Sequence, residues 1–310
     1  MCSIESCARM LSRRVGQDNA CFRASGSTAI EAALDLLGVG TGDEVVVPNI
    51  GCASVPAAVA RSGATLVFVG VGEELTLSPR DVGAAITPST RAVIGVHLYG
   101  LPCDIRGIRD VVPDGVAVIE DFAQAWGLEG RGEVAGSQGD VAVTSFGPTK
   151  PLSLGAGGAV FCSADLLDRY AAIGGIDIRP PNEAPVSARF PQSLFLGIPY
   201  ALDSADLSLR ARREAVVQIL ESLAAVDART PPIDTDYLPS WTRLPLYVDD
   251  VPSAIRSLES SPFAALVQPM HLTLLSSLPM FDQLPKRLVK GSVRTREPIL
   301  VKPIDWRLDA

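Results

Sequence analysis

One lysine stands in a tight loop between two strand-like segments, a place suited to covalent chemistry. Lys150 ends the run SFGPTK (145–150), and upstream the apolar strand pattern 116–119 leads into Glu120 and Asp121. A lysine that forms an imine with an aldehyde, and a carboxylate that pairs with a ring nitrogen, are what pyridoxal 5'-phosphate (PLP) chemistry requires. For either residue taken alone, a loop lysine or an acidic helix cap is the favoured alternative.

The composition is that of a globular, acidic chain. Of its 310 residues 47% are hydrophobic, and 27 Lys and Arg stand against 35 Asp and Glu, which gives a formal net charge of -8. This length leaves room for one large domain plus a smaller one. The negative balance repels polyphosphate chains, so we expect no nucleic-acid partner.

Apolar runs and cysteine spacing bear on the compartment. No apolar run reaches the length of a bilayer span, and the first residues lack a basic n-region, so we expect a cytoplasmic protein without a membrane partner. The six cysteines are scattered without a C-x-x-C pair, and there are only two histidines. We therefore expect reduced thiols and no metal site.

Residues 25–172 alternate helical and strand patterns with short connections, which predicts an α/β fold with a mostly parallel sheet and helices on both faces. The strands 142–146 and 158–161 leave no room for a crossover helix between them, so at least one pairing is antiparallel and the sheet is mixed. The other predicted strands are 45–48, 65–69, 92–97 and 116–119, and helices are predicted to begin near 27, 54, 78 and 104.

A proline-rich stretch at 178–185 separates this region from the rest and predicts an extended loop. We place a domain boundary there, between a PLP-binding large domain (1–180) and a small C-terminal α+β domain (181–310). The small domain is predicted from a helix at 205–225, a strand at 243–248 and a helix at 252–258, while the tail from 286 shows no clear pattern.

Two glycine-rich segments could be mistaken for nucleotide loops. GVGTG (38–42) closes a helix and precedes a strand, the reverse of the order that a dinucleotide loop needs, so we interpret it as a helix C-cap and turn. The same objection applies to GAGG (155–158). In SGSTAI (25–30) a glycine turn leads into a helix, which suits a phosphate ester, with an ordinary N-cap as the alternative.

Five motifs, taken in order, resemble those of the DegT/StrS-type sugar aminotransferases. They are SGSTA (25–29), GDEVVVP (42–48), VHLYG (96–100), IEDFAQA (119–125) and SFGPTK (145–150). The resemblance covers roughly residues 20–175. It implies a type I PLP-enzyme fold, PLP as cofactor, and a homodimer whose active site lies near the subunit interface.

The resemblance also implies roles for single residues. Lys150 corresponds to the Schiff-base lysine, Asp121 to the partner of the pyridinium nitrogen, and Gln124 to a contact on the ring-hydroxyl side. An ionised Asp121 would keep the ring nitrogen protonated, and Lys150, once free, would carry a proton between carbon atoms. The implied phosphate ligands are Ser27, Thr28 and Ser145.

The sequence departs from the family pattern at three places. Cys52 stands where the family usually has an aromatic residue that stacks on the ring, and we interpret it as a small buried residue rather than a reactive thiol. In GIPYAL (197–202), Pro199 and Ala201 replace an asparagine and an arginine, which removes a phosphate contact to the neighbouring subunit. The C-terminal part is also shorter than the family norm.

The two histidines are interpreted differently. His271 lies in a segment that resembles one near the family's substrate pocket, so it is a candidate substrate contact, with a surface histidine as the alternative. His97 ends an apolar strand. It is expected to be a hydrogen-bonded core residue rather than a catalytic base.

The function implied is transfer of an amino group from a small-molecule donor, glutamate or glutamine, to a keto sugar, keto cyclitol or related carbonyl acceptor. Lys150 counts against a related branch that dehydrates sugars and has histidine in its place. The alternative is a degenerate PLP-binding homologue that acts as a partner or regulatory subunit, since contacts are lost at Pro199 and Ala201. The order of the glycine loops argues against an NAD- or ATP-dependent enzyme.

Overall fold

The chain folds around a mixed eight-stranded sheet, with two smaller sheets beside it. The computed structural model describes residues 3–172, 190, 192–259, 267–268, 272–292 and 298–301. The strands are β1 Asn19–Arg23, β2 Glu44–Pro48, β3 Thr65–Val69, β4 Thr90–Val96, β5 Ala117–Asp121, β6 Glu129–Gly130, β7 Glu133–Val134, β8 Val141–Ser145, β9 Gly158–Cys162, β10 Ala228–Arg229, β11 Tyr237–Leu238, β12 Leu244–Val248, β13 Val267–Gln268, β14 Lys286–Val289 and β15 Ile299–Val301. The helices are α1 Ile4–Arg14, α2 Gly26–Leu36, α3 Ser54–Ser62, α4 Pro79–Ala85, α5 Ile105–Val111, α6 Ala164–Ala172, α7 Ile198–Ser222 and α8 Val251–Glu259.

The large sheet has the order β1-β9-β8-β5-β4-β2-β3-β14. Five of its seven pairings are parallel, and β9 runs antiparallel to both β8 and β1. This confirms the predicted mixed, mostly parallel sheet. Because β4, β5 and β8 are parallel neighbours, their carboxyl ends meet at one edge, where ligands bind in open α/β sheets.

Side-chain caps start the helices where the sequence predicts. Ser78 accepts a hydrogen bond from the N–H of Asp81, and Asp104 accepts one from the N–H of Gly107, at the starts of α4 and α5. Each bond satisfies one of the N–H groups that a helix leaves without an internal acceptor. The turn after α2 is also confirmed, because α2 ends at Leu36 and Gly38 has φ +68°.

The C-terminal residues contribute to more than one sheet. They form the antiparallel sheet β10-β12-β15-β13, and β11 pairs with β6. However, β14, from the tail without a clear sequence pattern, joins the large sheet parallel to β3. The proposed division between residues 180 and 181 stays a prediction, and the proline-rich stretch 178–185 lies outside the described residues.

Membrane-spanning helices and clusters of metal ligands are both absent from the described residues. In the ranges that the structure describes, no helix is both long and apolar enough to cross a bilayer. Within the same ranges, no group of three or more His, Cys, Asp and Glu side chains could hold a metal ion.

The junction between β14 and the rest of the sheet depends on two glycines in close contact. A Cβ on Gly291 would collide with the backbone carbonyl of Gly70, which belongs to the segment after β3. Since that obstacle is backbone rather than a flexible side chain, it cannot move without displacing a strand.

We predict that Gly291→Ala lowers the free energy of unfolding by about 1–3 kcal/mol, because the added methyl group overpacks this junction. Urea unfolding measures the change. Gly40→Ala is the matched control, since a Cβ there meets only an oxygen of Ser62 at 3.6 Å. Equal stability of the two variants would contradict a tight junction at β14.

Candidate active site

The carboxyl ends of β4, β5 and β8 are held in register by backbone hydrogen bonds that continue past the strands. The N–H of His97 donates to the carbonyl of Asp121 at 3.0 Å, and the N–H of Phe122 donates to the carbonyl of Val143 at 3.1 Å. The loops that leave these strands therefore start from fixed positions, and the predicted site residues lie on them.

Asp121 is buried, with 6% of its surface exposed. Its carboxylate accepts one backbone hydrogen bond, from the N–H of Ala123 at 2.9 Å. Burial raises the pKa of Asp121 above its usual value, whereas that hydrogen bond and the positive charge of Lys150 lower it. A buried carboxylate with a single backbone donor is a favourable partner for a further cation.

The neighbouring Glu120 has a different environment. Its carboxylate is fully buried and accepts hydrogen bonds from His97 Nε2 at 2.9 Å and from the N–H groups of Gly136, Gln138 and Gly139 at 2.6, 2.8 and 2.9 Å. Burial alone would raise the pKa of Glu120, but the hydrogen bonds from His97 and from the backbone N–H groups outweigh it, so the pKa lies below its usual value. Glu120 is therefore a structural carboxylate.

The protonation of His97 follows from its two contacts. Nδ1 accepts a hydrogen bond from the N–H of Cys103 at 2.9 Å, so Nε2 carries the proton that it donates to Glu120. The ring is 1% exposed. Both nitrogens are in use, and the expectation that His97 is a hydrogen-bonded core residue is confirmed.

The loop that carries Lys150 is fixed by its own backbone and by Phe146. The N–H of Lys150 donates to the carbonyl of Gly147 at 3.0 Å, and the N–H of Leu154 donates to the carbonyl of Phe146 at 2.9 Å. The Phe146 ring is fully buried in an aromatic cluster with Phe22 and Phe190. Lys150 itself is half-buried, close enough to Asp121 for its charge to act on that carboxyl.

The N-terminus of α2 lies directly against the end of β8. A Cβ on Gly26 would be 2.8 Å from the Cβ of Ser145, so only glycine allows this approach. The first N–H groups of a helix have no internal acceptor and attract anions. Ser145 and the start of α2 together form a small cradle for an anionic group.

The structure distinguishes among the three predicted phosphate ligands. The hydroxyl of Thr28 takes part in a capping box: it donates to the carbonyl of Ser25 at 2.9 Å and accepts from the N–H of Ser25 at 3.0 Å. Thr28 therefore shapes the cradle through its cap. Ser27 in the first turn of α2 and Ser145 beside Gly26 are better placed to donate to an anion.

Gln124 lies on the loop after β5, and its side chain is oriented by a backbone group. Its Oε1 accepts a hydrogen bond from the N–H of Tyr99 at 3.2 Å. The NH₂ group is then the end of the side chain that is able to donate to a ligand.

The remaining predicted positions have varied outcomes. Cys52 is exposed, with its sulfur accepting from the Ser54 hydroxyl at 3.0 Å, so its interpretation as a buried residue is wrong. It lies in the loop between β2 and α3, where the sheet ends and side chains reach the surface. Pro199 and the buried Ala201 lie in the first turn of α7. His271 lies outside the described residues.

Residues 3–173, more than half of the chain, match the model of the DegT/DnrJ/EryC1/StrS aminotransferase family. The chain belongs to this family. That match includes every motif on which the resemblance was based, from the start of α2 to the loop of Lys150.

Two curated relatives show the extent of the similarity. The UDP-N-acetyl-3-dehydro-alpha-D-glucosamine 3-aminotransferase of Acidithiobacillus ferrooxidans is 44% identical over 144 residues, which is 46% of this chain and 39% of that protein. The L-glutamine:2-deoxy-scyllo-inosose aminotransferase of Streptoalloteichus tenebrarius is 39% identical over 169 residues, 54% of this chain and 40% of that protein. The matched part thus spans about 40% of the length of these relatives.

Solved structures extend the likeness to almost the whole chain. An aminotransferase of the family from Brucella abortus has a TM-score of 0.82 at 23% identity and covers 97% of this chain and 84% of its own. DesV from S. venezuelae has a TM-score of 0.75 at 27% identity, covering 97% and 83%. The fold is that of the PLP-dependent aminotransferases, as expected.

Sequence reasoning missed the residues that support the site from the C-terminal half. Ser240 donates to the carbonyl of Gln124, and Arg212 donates to the carbonyl of Ser240. Neither residue lies in a motif, and both are distant in sequence from Gln124. No sequence signal could have identified them, because their contacts exist only in the folded chain.

We predict that Glu120→Gln destabilises the protein by about 3 kcal/mol at neutral pH, since an amide cannot accept the four hydrogen bonds that the carboxylate accepts. The lowered pKa of Glu120 means that its contribution is complete above its ordinary value of about 4.5 and is lost as the pH falls through the folded-state value below it. The difference from the unmodified protein should therefore shrink in acid.

Urea unfolding between neutral pH and about pH 3.5 measures this difference. Glu214→Gln is the control, because Glu214 is exposed on α7. A difference for Glu120→Gln that stays constant across the pH range would contradict the structural carboxylate.

Proposed function

We propose that this chain is a PLP-dependent aminotransferase that moves an amino group from glutamate or glutamine to a keto sugar, keto cyclitol or related carbonyl acceptor. One observation carries the proposal: the buried Asp121 ends β5 and Lys150 lies on the loop after its parallel neighbour β8, so both are at the same edge of the sheet. The names of the relatives support the substrate class, since one acts with L-glutamine on an inosose and another on a nucleotide-linked dehydro-sugar.

The described residues fit PLP at both ends of the molecule. The start of α2, which the missing side chain of Gly26 allows to lie against Ser145, offers N–H and hydroxyl donors for a phosphate. Asp121 offers a buried carboxylate for a protonated ring nitrogen, and Gln124 offers an amide NH₂ nearby. A donor cradle and a buried carboxylate, combined with a lysine, match what this cofactor requires.

When bound, PLP supplies an aldehyde and a protonated ring that accepts electrons from the α-carbon of the amino donor. Asp121 would hold the ring nitrogen in its protonated form, because a positive partner lowers the pKa of this carboxyl, which burial raises. The Nζ atom of Lys150 would hold the cofactor aldehyde as an imine, and as a free amine it would be the base that carries a proton between the α-carbon and the neighbouring carbon. The backbone of the short loop that carries Lys150 is fixed by the hydrogen bond from the N–H of Leu154 to the carbonyl of Phe146.

The departures from the family pattern concern the affinity for PLP and the choice of the carbonyl acceptor. Cys52 offers little surface for stacking on a ring, and Pro199 has no donor for a phosphate of the neighbouring subunit. We propose that these changes leave the Lys150–Asp121 chemistry intact, because neither Cys52 nor Pro199 contributes to the contacts of Asp121. Those intact contacts favour an enzyme over a degenerate partner subunit.

We predict that Lys150→Ala loses the visible absorbance band of lysine-bound PLP, whereas Asp121→Asn keeps bound PLP but slows turnover by about a hundredfold or more. The two variants separate covalent attachment from ring protonation. Absorbance spectra and amino transfer from glutamate, followed by conversion of the cofactor to its amine form, measure both effects.

Lys290→Ala is the matched control, because Lys290 is an exposed lysine directly after β14 and should keep both band and turnover. A retained band in Lys150→Ala would refute the assignment of the lysine. Unmodified protein that binds no PLP when the cofactor is in excess would refute the proposed function and favour the partner subunit.

We also propose a homodimer, with the start of α7 in the interface. Leu196, Tyr200 and Leu207 have 65%, 78% and 67% of their surface exposed. A spacing of seven residues places Tyr200 and Leu207 on one face of α7, and Leu196 lies in the short 3-10 helix directly before it. Exposed apolar side chains grouped in this way mark interaction surfaces.

The expected mass in solution is twice that of the 32.6 kDa chain. Leu207→Glu should convert the dimer into a monomer, since it places a charge in the apolar contact. Light scattering measures the mass, and Val111→Glu on α5, 43% exposed, serves as control. A monomeric unmodified protein would rule out the homodimer.

We propose a cytoplasmic location as well. Four cysteines of the described residues, Cys21, Cys52, Cys103 and Cys162, are free thiols, and Cys103 and Cys162 are buried. Free thiols are typical of a reducing compartment, which supports this assignment.

A further inference from the structure

The segment 238–243 runs from the last residue of β11 to the residue before β12, and it packs directly on the loop after β4. The N–H of Ser240 donates to the carbonyl of Gly100 at 3.1 Å, and the N–H of Thr242 donates to the carbonyl of Tyr99 at 3.0 Å. A Cβ on Gly100 would be 2.7 Å from the nitrogen of Trp241 and would collide with the Ser240 hydroxyl. The two backbones are thus in close contact.

Two non-glycine residues at this contact have left-handed backbone angles. Tyr99 has φ 59° and Trp241 has φ 50°. Such conformations cost free energy and persist where surrounding contacts enforce them, which is common at functional sites. The strain lies where segment 238–243 meets the loop of Tyr99.

Both oxygens of Gln124 accept hydrogen bonds from residues of this contact. Its side-chain Oε1 accepts from the N–H of Tyr99 at 3.2 Å, and its backbone carbonyl accepts from the Ser240 hydroxyl at 3.4 Å. The orientation of the amide therefore depends on where segment 238–243 holds the loop of Tyr99.

Arg212 on α7 supports the segment from behind. Its Nε donates to the carbonyl of Ser240 at 2.8 Å, and its Nη1 donates to the hydroxyl of Ser208 at 2.6 Å. The side chain is 3% exposed, and its Nη2 has no hydrogen-bond partner within the part of the chain that the structure describes. Among the described residues no carboxylate pairs with Arg212. Burial and the positive charge of the adjacent Arg213 lower the pKa of its guanidinium to about 10.

A buried guanidinium without a carboxylate is costly for stability. Both of its hydrogen-bond acceptors are neutral, and one of them is the carbonyl at the centre of segment 238–243. This contact links α7 to the candidate cofactor site.

We propose that Arg212 and Ser240 are positioning residues of the cofactor site, which through segment 238–243 hold Tyr99 and the amide of Gln124 in place for the PLP ring. This inference rests on the proposed function, since Gln124 acts only if PLP binds beside it. Neither residue touches the cofactor. Their effect is on the geometry of the site rather than on the chemical step.

The test uses two variants of the full chain. Ser240→Ala removes the hydroxyl donor to Gln124 but keeps the backbone contacts of the segment. Arg212→Met removes the donor to Ser240 while keeping a long apolar stem, and stability should stay equal or rise because a buried charge is lost. Ser208→Ala is the matched control, since it removes the other partner of Arg212 without touching the segment.

Hydrogen-exchange mass spectrometry of the cofactor-free protein, on peptides covering residues 97–103, is the first measurement. The PLP dissociation constant and the position of its visible band are the second. We expect faster exchange and about tenfold weaker PLP binding in both test variants, with a shifted band, because one hydrogen bond is lost in each. Arg212→Lys should restore part of the loss, as an ammonium can donate to the same carbonyl.

Unchanged exchange and unchanged PLP affinity in Ser240→Ala and Arg212→Met would overturn the inference. Equal losses in Ser208→Ala would overturn it as well. If Arg212→Met does not fold, Ser240→Ala decides. Failure of the unmodified protein to bind PLP refutes the proposed function instead, while faster exchange in the variants would still show that the segment holds the loop.

Discussion

The candidate site depends on two adjacent carboxylates at the end of β5. Both are buried, but they differ in how many hydrogen bonds they accept. Successive side chains of a strand point to opposite faces, so Glu120 and Asp121 enter different environments. Glu120 receives four hydrogen bonds and holds His97 and the loop 136–139 in place. Asp121 receives one from the backbone and is left with capacity for a cation. The four hydrogen bonds of Glu120 thus fix the end of the strand on which Asp121 lies.

This division explains why so few residues around Asp121 need to be charged. The end of β4 is fixed by His97, which lies between Glu120 and the backbone of Cys103. The end of β8 is fixed by the aromatic packing of Phe146 and by its contact with the start of α2. Aromatic packing and the hydrogen bonds of Glu120 fix these strand ends, and the charge of Lys150 lowers the pKa of the Asp121 carboxyl, which burial raises.

The C-terminal half supports the site although the family match ends at residue 173. Segment 238–243 contacts the loop of Tyr99 through backbone groups, which any sequence can supply. Such contacts tolerate wide changes in side chains, so the fold can be shared over 97% of the chain at 23% identity. Support of this kind leaves little trace in a sequence motif.

The sequence alone determined the order of elements, the mixed sheet and the identity of the residues that could do chemistry. Apolar periodicity and helix caps act locally, so the starts of α4 and α5 at Ser78 and Asp104 could be predicted to the residue. The antiparallel pairing of β8 with β9 could also be predicted, because the short connection between them leaves no room for a crossover helix.

Only the tertiary structure decided the rest. The addition of β14 to the large sheet, the exposure of Cys52 and the contacts of Arg212 and Ser240 with the Gln124 loop arise between residues far apart in the chain. Their energies depend on which surfaces meet, on how close two backbones can approach, and on which polar groups lose water. These quantities exist only once the chain has folded.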